Sequence, residues 1–279
     1  MNLPLRAVKK ARLYLALRAA SKDAAALLVS YRKSGRTWLR YILSHYFNDV
    51  CEVGETINFR TIFRITPNLD LDPERGVRFF ESGPARGKAP LVLVTHRRPN
   101  PFIMGAAPVV FLIRDPRDVM VSAYHHAVGH KGVFKGDIDE FLDNPDIGVD
   151  DLSTYLSKWA AALRTRSHVI VAYEDLSADP VPTLTNVIEF LGLTADRSRI
   201  EAAVAASSFD KMLDDEIKTG IPGHAYDAGA VNSRRVRKGK VGGYVDELTQ
   251  EQASGIMVRL EKNLGEADAN RRGLDRYLA

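Results

Sequence analysis

The sequence predicts an α/β fold: one domain built on a central parallel sheet with helices over both faces. Three observations carry this expectation. Four short apolar runs, Ala26–Tyr31, Leu91–Thr95, Val109–Arg114 and His168–Tyr173, are each bounded by turn or charged residues, the pattern of strands buried on both faces. Helix-like stretches separate them, and such alternation calls for crossover connections and hence parallel strands. No Pro/Gly/Ser-rich linker or internal repeat divides the 279 residues, 45% of which are hydrophobic, ample for one large core.

The elements follow in chain order. Residues 1–22 read as a basic helix or extension ahead of a domain spanning 23–279. Arg6, Lys9, Lys10, Arg12 and Arg18 are scattered too evenly among Leu, Val and Ala for a signal-peptide core. As a helix, residues 3–20 either lie on an anionic membrane surface or pack, solvated, on the domain. The first strand runs directly into a helix over Thr37–Phe47. A helix over Asp118–Ala127 follows the third strand, Leu152–Arg166 precedes the fourth, and Val181–Leu191 comes after it. Cys51–Ala89, Gly129–Asp151 and Asp214–Val236 carry Gly, Pro, Asn and Asp clusters without clean periodicity. They are expected to be irregular walls and lids of a ligand pocket.

Composition narrows the function only slightly. The formal net charge is +4, which suits nucleic acid, an anionic membrane or a small anionic ligand alike. The single cysteine, Cys51, has no internal disulfide partner, in keeping with a reducing, cytoplasmic setting. Apolar runs such as Val109–Ile113 are far too short to cross a bilayer.

Ligands of open parallel sheets bind beyond the carboxyl ends of the strands, so the chemistry belongs just after these four runs. After the first comes Tyr31-Arg32-Lys33-Ser34-Gly35-Arg36-Thr37-Trp38, and a helix starts at once. A strand–turn–helix presents backbone N–H groups and the positive end of a helix to an anion. Gly35 permits close approach, Lys33 brings charge, and Ser34 and Thr37 bring hydroxyl donors. The nucleoside-triphosphatase pattern G-x-x-x-x-G-K-[ST] is absent. The segment resembles the 5′-phosphosulfate loop, usually Y-P-K-S-G-T-T-W, of sulfotransferases that use 3′-phosphoadenosine 5′-phosphosulfate (PAPS). Arg32 replaces Pro and Arg36 replaces Thr; Arg36 either adds a contact to the anion or faces solvent.

After the third strand the chain reads Arg114-Asp115-Pro116-Arg117-Asp118-Val119-Met120-Val121-Ser122. Asp-Pro breaks the strand and opens a helix, with Ser122 further along on a face that can look back at the strand ends. A guanidinium fork with a serine hydroxyl makes a compact phosphate clamp, although Arg114 and Asp118 could equally cap a βα junction. The segment is similar to the same family's 3′-phosphate motif, R-[ND]-P-[KR]-D-V-x-V-S-x-Y. The resemblance implies that Arg114 and Ser122 hold the 3′-phosphate and that Ser122 tethers Lys33 before the acceptor arrives. Further patches match the family in its order. Tyr173-Glu174-Asp175-Leu176 resembles the Y-E-D-L segment whose tyrosine contacts the adenine. Ser207-Ser208-Phe209 resembles T-S-F, whose phenylalanine stacks on it. Arg237-Lys238-Gly239 resembles the R-K-G that closes over the 3′-phosphate. Gly243 and Tyr244 stand where the family has Asp and Trp, which leaves the packing of that closing loop open.

His96 ends the second strand in Thr95-His96-Arg97-Arg98-Pro99, beside the phosphate turn. An acceptor alcohol needs a base at neutral pH, and a neutral imidazole can supply one. The stretch looks like the family's T-H-x-x-P, in which the histidine is the general base; His125 and His126 are the nearest rivals. Val94 stands where the family often has lysine, so Arg36, Arg97 or Arg98 would have to compensate.

On this resemblance the chain is identified as a member of the cytosolic-type, bacterial-like PAPS-dependent sulfotransferases, with a P-loop-kinase-like sheet. The implied reaction passes a sulfuryl group to a hydroxyl or amine of a small-molecule, glycan or lipid-linked acceptor. Lys33, His96 and Ser122 are the implied catalytic residues, with neither a metal nor nucleic acid involved. Two competing readings are a phosphoryl-transfer enzyme on a related fold and a nucleotide- or nucleic-acid-binding module without catalysis. The lack of a paired acidic metal site weighs against the first. The second requires salt-dependent polyanion binding and no role for His96. Oligomeric state is left open.

Overall fold

Alternate residues of each apolar run face opposite sides of one sheet, and that alternation divides the core in two. A computed structural model describes residues 3–130, 132–223, 239–265 and 275–277. The strands are β1 (Ala26–Ser30), β2 (Val92–Thr95), β3 (Val109–Ile113) and β4 (His168–Ala172), all parallel in the order β2-β1-β3-β4. Leu27, Val29, Val109 and Phe111 point to one face. There they meet α1 (Leu3–Asp23), α4 (Pro101–Met104), α5 (Pro116–His125), α6 (Ile138–Asp143), α7 (Val149–Leu163) and α12 (Gln250–Leu264). Ala26, Leu28, Val110 and Leu112 point to the other, against α2 (Arg36–Val50), α8 (Tyr173–Ala178), α9 (Pro180–Phe190) and α10 (Arg197–Ala206). Burying one large aliphatic side chain contributes roughly 1.5–3 kcal/mol, so these two layers stabilise the sheet on which the site is mounted.

The predicted strands and the helices beside them are present with small shifts of boundary. α5 begins two residues early because Asp115 accepts from the Arg117 amide (2.9 Å) and Pro116 occupies the first turn. Beyond His125 the helix widens into a π-helical turn, His126–His130.

The segments expected to be irregular need correction. Cys51–Ala89 holds a 3₁₀ turn at Thr61–Arg64 and the short helix α3 (Val77–Glu81). Gly129–Asp151 holds α6, closed by a capping box between Asp137 and Glu140, and the start of α7. The expected irregularity of Asp214–Val236 fails at its start, because α11 (Phe209–Thr219) runs through it. Asp215 accepts hydrogen bonds from the Tyr41 hydroxyl (2.8 Å) and the Phe59 amide (2.7 Å), partners far away in sequence. α12 carries Ile256, Leu260 and Leu264 at i, i+4 spacing against α7, a pattern visible in the sequence.

The C-terminal half of α1 packs on the domain. Leu17 is fully buried, and Arg18 donates to the Phe102 carbonyl (2.9 Å). Residues 7–12 of the same helix are exposed. Among the described residues no helix is long and apolar enough to cross a membrane.

Candidate active site

The carboxyl ends of β1, β2 and β3 open onto a cavity of about 640 Å³ that gathers most of the predicted residues. The turn after β1 forms its floor. Lys33 (φ 68°) and Gly35 (φ 92°) are both left-handed, a conformation that curls successive backbone N–H groups toward one concavity. Gly35 is also the N-cap of α2 and offers no capping side chain, so the positive end of the helix faces the cavity. A Cβ at residue 35 would lie 2.3 Å from Cδ2 of Tyr173, which makes glycine a steric requirement here. Arg32, Lys33, Arg36, Thr37 and Trp38 line the cavity, whereas Ser34 is buried beneath the turn.

Arg114 is the second anchor. Its guanidinium donates to the Lys33 carbonyl (3.4 Å), to Asp118 (3.2 Å) and to the Lys240 carbonyl (2.9 Å), and lies 4.4 Å over the Tyr173 ring. Its Nε is buried with no protein acceptor. Ser122 lines the same wall.

Asp118, expected in the first turn of a helix or as a cap of the βα junction with Arg114, does more. Its two oxygens accept from the amides of Gly242 and Tyr244, both at 2.9 Å, and so tie the C-terminal loop to the β3–α5 junction. The i, i+4 spacing from Arg114 was the only local sign of it. The Tyr244 ring sits 4.2 Å from the Arg117 guanidinium, so the loop is packed although Tyr replaces Trp. Gly239 (φ 61°) lies against Phe209, 2.9 Å from Cδ2 to a built Cβ, and its carbonyl accepts from the Tyr173 hydroxyl (3.3 Å). Burial raises the Tyr173 pKa above the usual phenol range, which keeps that hydroxyl a donor. Arg237 and Lys238 lie outside the described residues.

The opposite side is flat and aromatic. Trp38 packs edge-on to Tyr173 (5.6 Å) and donates to the Ser207 carbonyl (3.0 Å). Ser207 donates its hydroxyl to Ala203, while Ser208 and the exposed ring of Phe209 line the cavity. Met212, which matches the methionine of the family's T-S-F-x-x-M segment, lines it as well, as do Val204 and Ala205, which no motif marked beforehand.

His96 lines the cavity beyond β2, with Nδ1 2.7 Å from the Ser30 carbonyl. A carbonyl can only accept, so Nδ1 carries the proton and the lone pair of the neutral ring resides on Nε2. The rival histidines part company at the π turn. His125 is bonded to Glu247, whereas His126 lines the cavity. Burial pushes the half-buried His45 down to about 4, so it stays neutral. Val94 is buried in the α2-side core; Arg98 is engaged by Asp151, and of the expected substitutes for the missing lysine only Arg36 lines the cavity. Among the described lining residues five are cationic (Arg32, Lys33, Arg36, Arg114 and Lys240) and one, Asp118, is acidic. Such a site fits a compact polyanion.

The sulfotransferase-domain family matches residues 23–268 of this chain. The chain belongs to the sulfotransferase family. It is a PAPS-dependent enzyme that transfers a sulfuryl group to an acceptor. This sulfotransferase is 26% identical over 245 residues to 3-alpha-hydroxysteroid sulfotransferase of Cavia porcellus, covering 83% of this chain and 80% of that one. It is 26% identical over 259 residues to flavonol 3-sulfotransferase of Flaveria bidentis, covering 85% and 81%. Its fold matches mouse sulfotransferase SULT7A1, solved in complex with PAP, with a TM-score of 0.63 at 21% identity over 91% and 88% of the two chains. PAP, the donor without its sulfuryl group, is a direct probe of the cavity. Replacing Gly35 with Ala in this sulfotransferase combines an unfavourable φ with a collision against Tyr173. The substitution should weaken PAP binding about 5- to 150-fold, given a strain of roughly 1–3 kcal/mol. Calorimetric titration checks this, and unchanged affinity would refute the role given to the turn.

Proposed function

We propose that this sulfotransferase sulfates a hydroxyl on a small acceptor with an apolar body, using His96 as general base and Lys33 on the departing oxygen. The contact between His96 Nδ1 and the Ser30 carbonyl carries the reading, because it leaves Nε2 as the proton-accepting atom of a ring that lines the cavity. PAPS supplies the sulfuryl group, activated by its linkage to a phosphate. His96 takes the acceptor proton as the hydroxyl oxygen bonds to sulfur and the bond from sulfur to the bridging phosphate oxygen breaks. The products are a sulfate ester, PAP and the proton held by His96. Negative charge grows on the bridging oxygen, so a Lys33 ammonium beside it stabilises the transition state more than the ground state. Arg114 and Ser122 hold the 3′-phosphate, and the unpartnered Nε of Arg114 suits an incoming anion. Trp38, Tyr173 and Phe209 flank the adenine, a role their rings in one cavity support. The phosphosulfate turn works as P-loop-kinase-like turns do, through backbone donors and a helix end.

The acceptor class follows from the remaining lining. Val121, Ala123, Ala127, Val133, Phe141 and Ile147 are apolar and share the cavity with His96. Relatives named for flavonol and hydroxysteroid substrates point the same way. Such a wall favours a hydroxylated ring over a free glycan.

Contact with anionic lipid belongs to the exposed half of α1. Lys9, Lys10 and Arg12 are exposed there, and no acidic residue precedes Asp23. Charged and apolar residues are mixed around the helix, so the contact is electrostatic and not an insertion.

Three measurements test these readings. His96→Ala should lower kcat by roughly 10²–10⁴ with PAP affinity nearly unchanged. The deficit should shrink across phenols of falling pKa, whereas a constant deficit would make His96 structural. Arg114→Ala should weaken PAP by about 1.5–3 kcal/mol and affect adenosine 5′-phosphosulfate, which lacks the 3′-phosphate, much less. Equal losses would take Arg114 out of that subsite. The protein should sediment with phosphatidylserine vesicles at low salt and be released at about 1 M, where the Debye length falls to about 3 Å. No sedimentation at low salt would rule out the lipid contact.

A further inference from the structure

Asp151 lies outside the cavity lining, yet it touches the two loops on which the reaction depends. It sits in the first turn of α7, where an acidic side chain is favoured by the helix end, and its side chain is only 13% exposed. Its Oδ2 accepts from the Arg32 guanidinium in the phosphosulfate turn and from the Tyr31 hydroxyl (2.7 Å). Its Oδ1 accepts from Arg98 (2.5 Å), two residues beyond His96. About two helical turns further along, α7 also holds the His96 loop through Trp159, whose Nε1 donates to the Arg97 carbonyl (3.0 Å). Both oxygens of a single carboxylate are thus engaged, one by the donor-binding turn and one by the loop that carries the base.

We infer that Asp151 is a positioning residue, a two-sided clamp that sets the distance between the phosphosulfate turn and His96. The inference rests on the donor and base assignments proposed above. It also accounts for one departure from the family pattern. Where the family has Pro, a ring that restricts the turn by itself, this chain has Arg32, a flexible side chain that requires an external partner. Asp151 is that partner. The Tyr31 hydroxyl stays protonated, its pKa pushed up chiefly by burial, and so keeps donating to the carboxylate at neutral pH. Two guanidinium groups on one carboxylate leave a residual positive charge at the rim, which favours an anionic donor next to the clamp.

Loosening either loop displaces reacting groups, and a misplacement of about 1 Å can cost on the order of 10²-fold in rate. Asp151→Asn removes the charge and keeps the shape. It is expected to raise the Kd for PAP about tenfold and to lower kcat at saturating donor about tenfold or more. Adding Arg32→Pro to Asp151→Asn tests the mechanism: it should restore PAP affinity and leave kcat low, because the Arg98 side remains unclamped. General destabilisation would depress both quantities together and give no such split. Arg98→Met, at a side chain 44% exposed, covers the event that Asp151→Asn does not fold. It should lower kcat and leave PAP affinity within about twofold of wild type. Asp151→Asn with wild-type PAP affinity and kcat, or Arg98→Met with wild-type kcat, overturns the clamp. A wild-type chain that does not bind PAP overturns the donor assignment instead, and the clamp with it.

Discussion

The guanidinium of Arg114 is the point at which four residues of the cavity wall meet. It bonds to the Lys33 carbonyl in the first turn, to Asp118 in the following helix and to the Lys240 carbonyl in the C-terminal loop, and it covers the ring of Tyr173 beyond the fourth strand. Asp118 is a neighbour one helical turn away, but Lys33, Tyr173 and Lys240 are remote in the chain, and the first two reach Arg114 because β1, β3 and β4 lie side by side. A largely buried cation is costly unless its donors are met. Here two carbonyls and one carboxylate meet most of them, and the buried Nε still lacks a protein acceptor. The group therefore both organises the cavity and retains capacity for an anion.

Around that point the chain departs from the family pattern in ways the fold absorbs differently. Tyr244 in place of Trp keeps a flat ring for the Arg117 guanidinium, and its amide is held by Asp118, so the closing loop remains docked. Gly243 in place of Asp removes a carboxylate from beside Asp118, leaving one acidic group and five cations among the described lining residues. Val94 in place of Lys follows the surrounding core, where Val92 and Val94 pack on the α2 side of the sheet. Arg32 in place of Pro exchanges a local constraint for a long-range one through Asp151.

Much of the fold and part of the site were legible before any coordinates. Strand runs such as Val109–Ile113 declare themselves because a strand buried on both faces must be apolar throughout. Loop chemistry declares itself where it is local, as in the turn from Tyr31 to Trp38, which needs a glycine that only the structure shows to be pressed against Tyr173. α11 was missed although Phe209, Met212, Leu213 and Ile217 recur at helical spacing, and its docking through Asp215, which accepts from Tyr41 and Phe59 far away in the chain, could not be read from the sequence. Asp151 was illegible for the same reason, since its partners lie 53 to 120 residues away.

The sequence by itself determined which residues could carry the chemistry: the phosphate-binding turn, the Arg114–Ser122 segment, the Tyr173 and Phe209 patches, and a histidine at the end of a strand. These properties reside in side-chain type and short spacing, which survive without knowledge of the fold. Only the tertiary structure decided which candidates share a cavity, that His125 turns to Glu247 while His126 and His96 face inward, and that Asp118 and Asp151 hold the loops in place. Such decisions depend on distances between segments far apart in the chain, and those distances exist only once parallel strands have brought their carboxyl ends to one edge of the sheet.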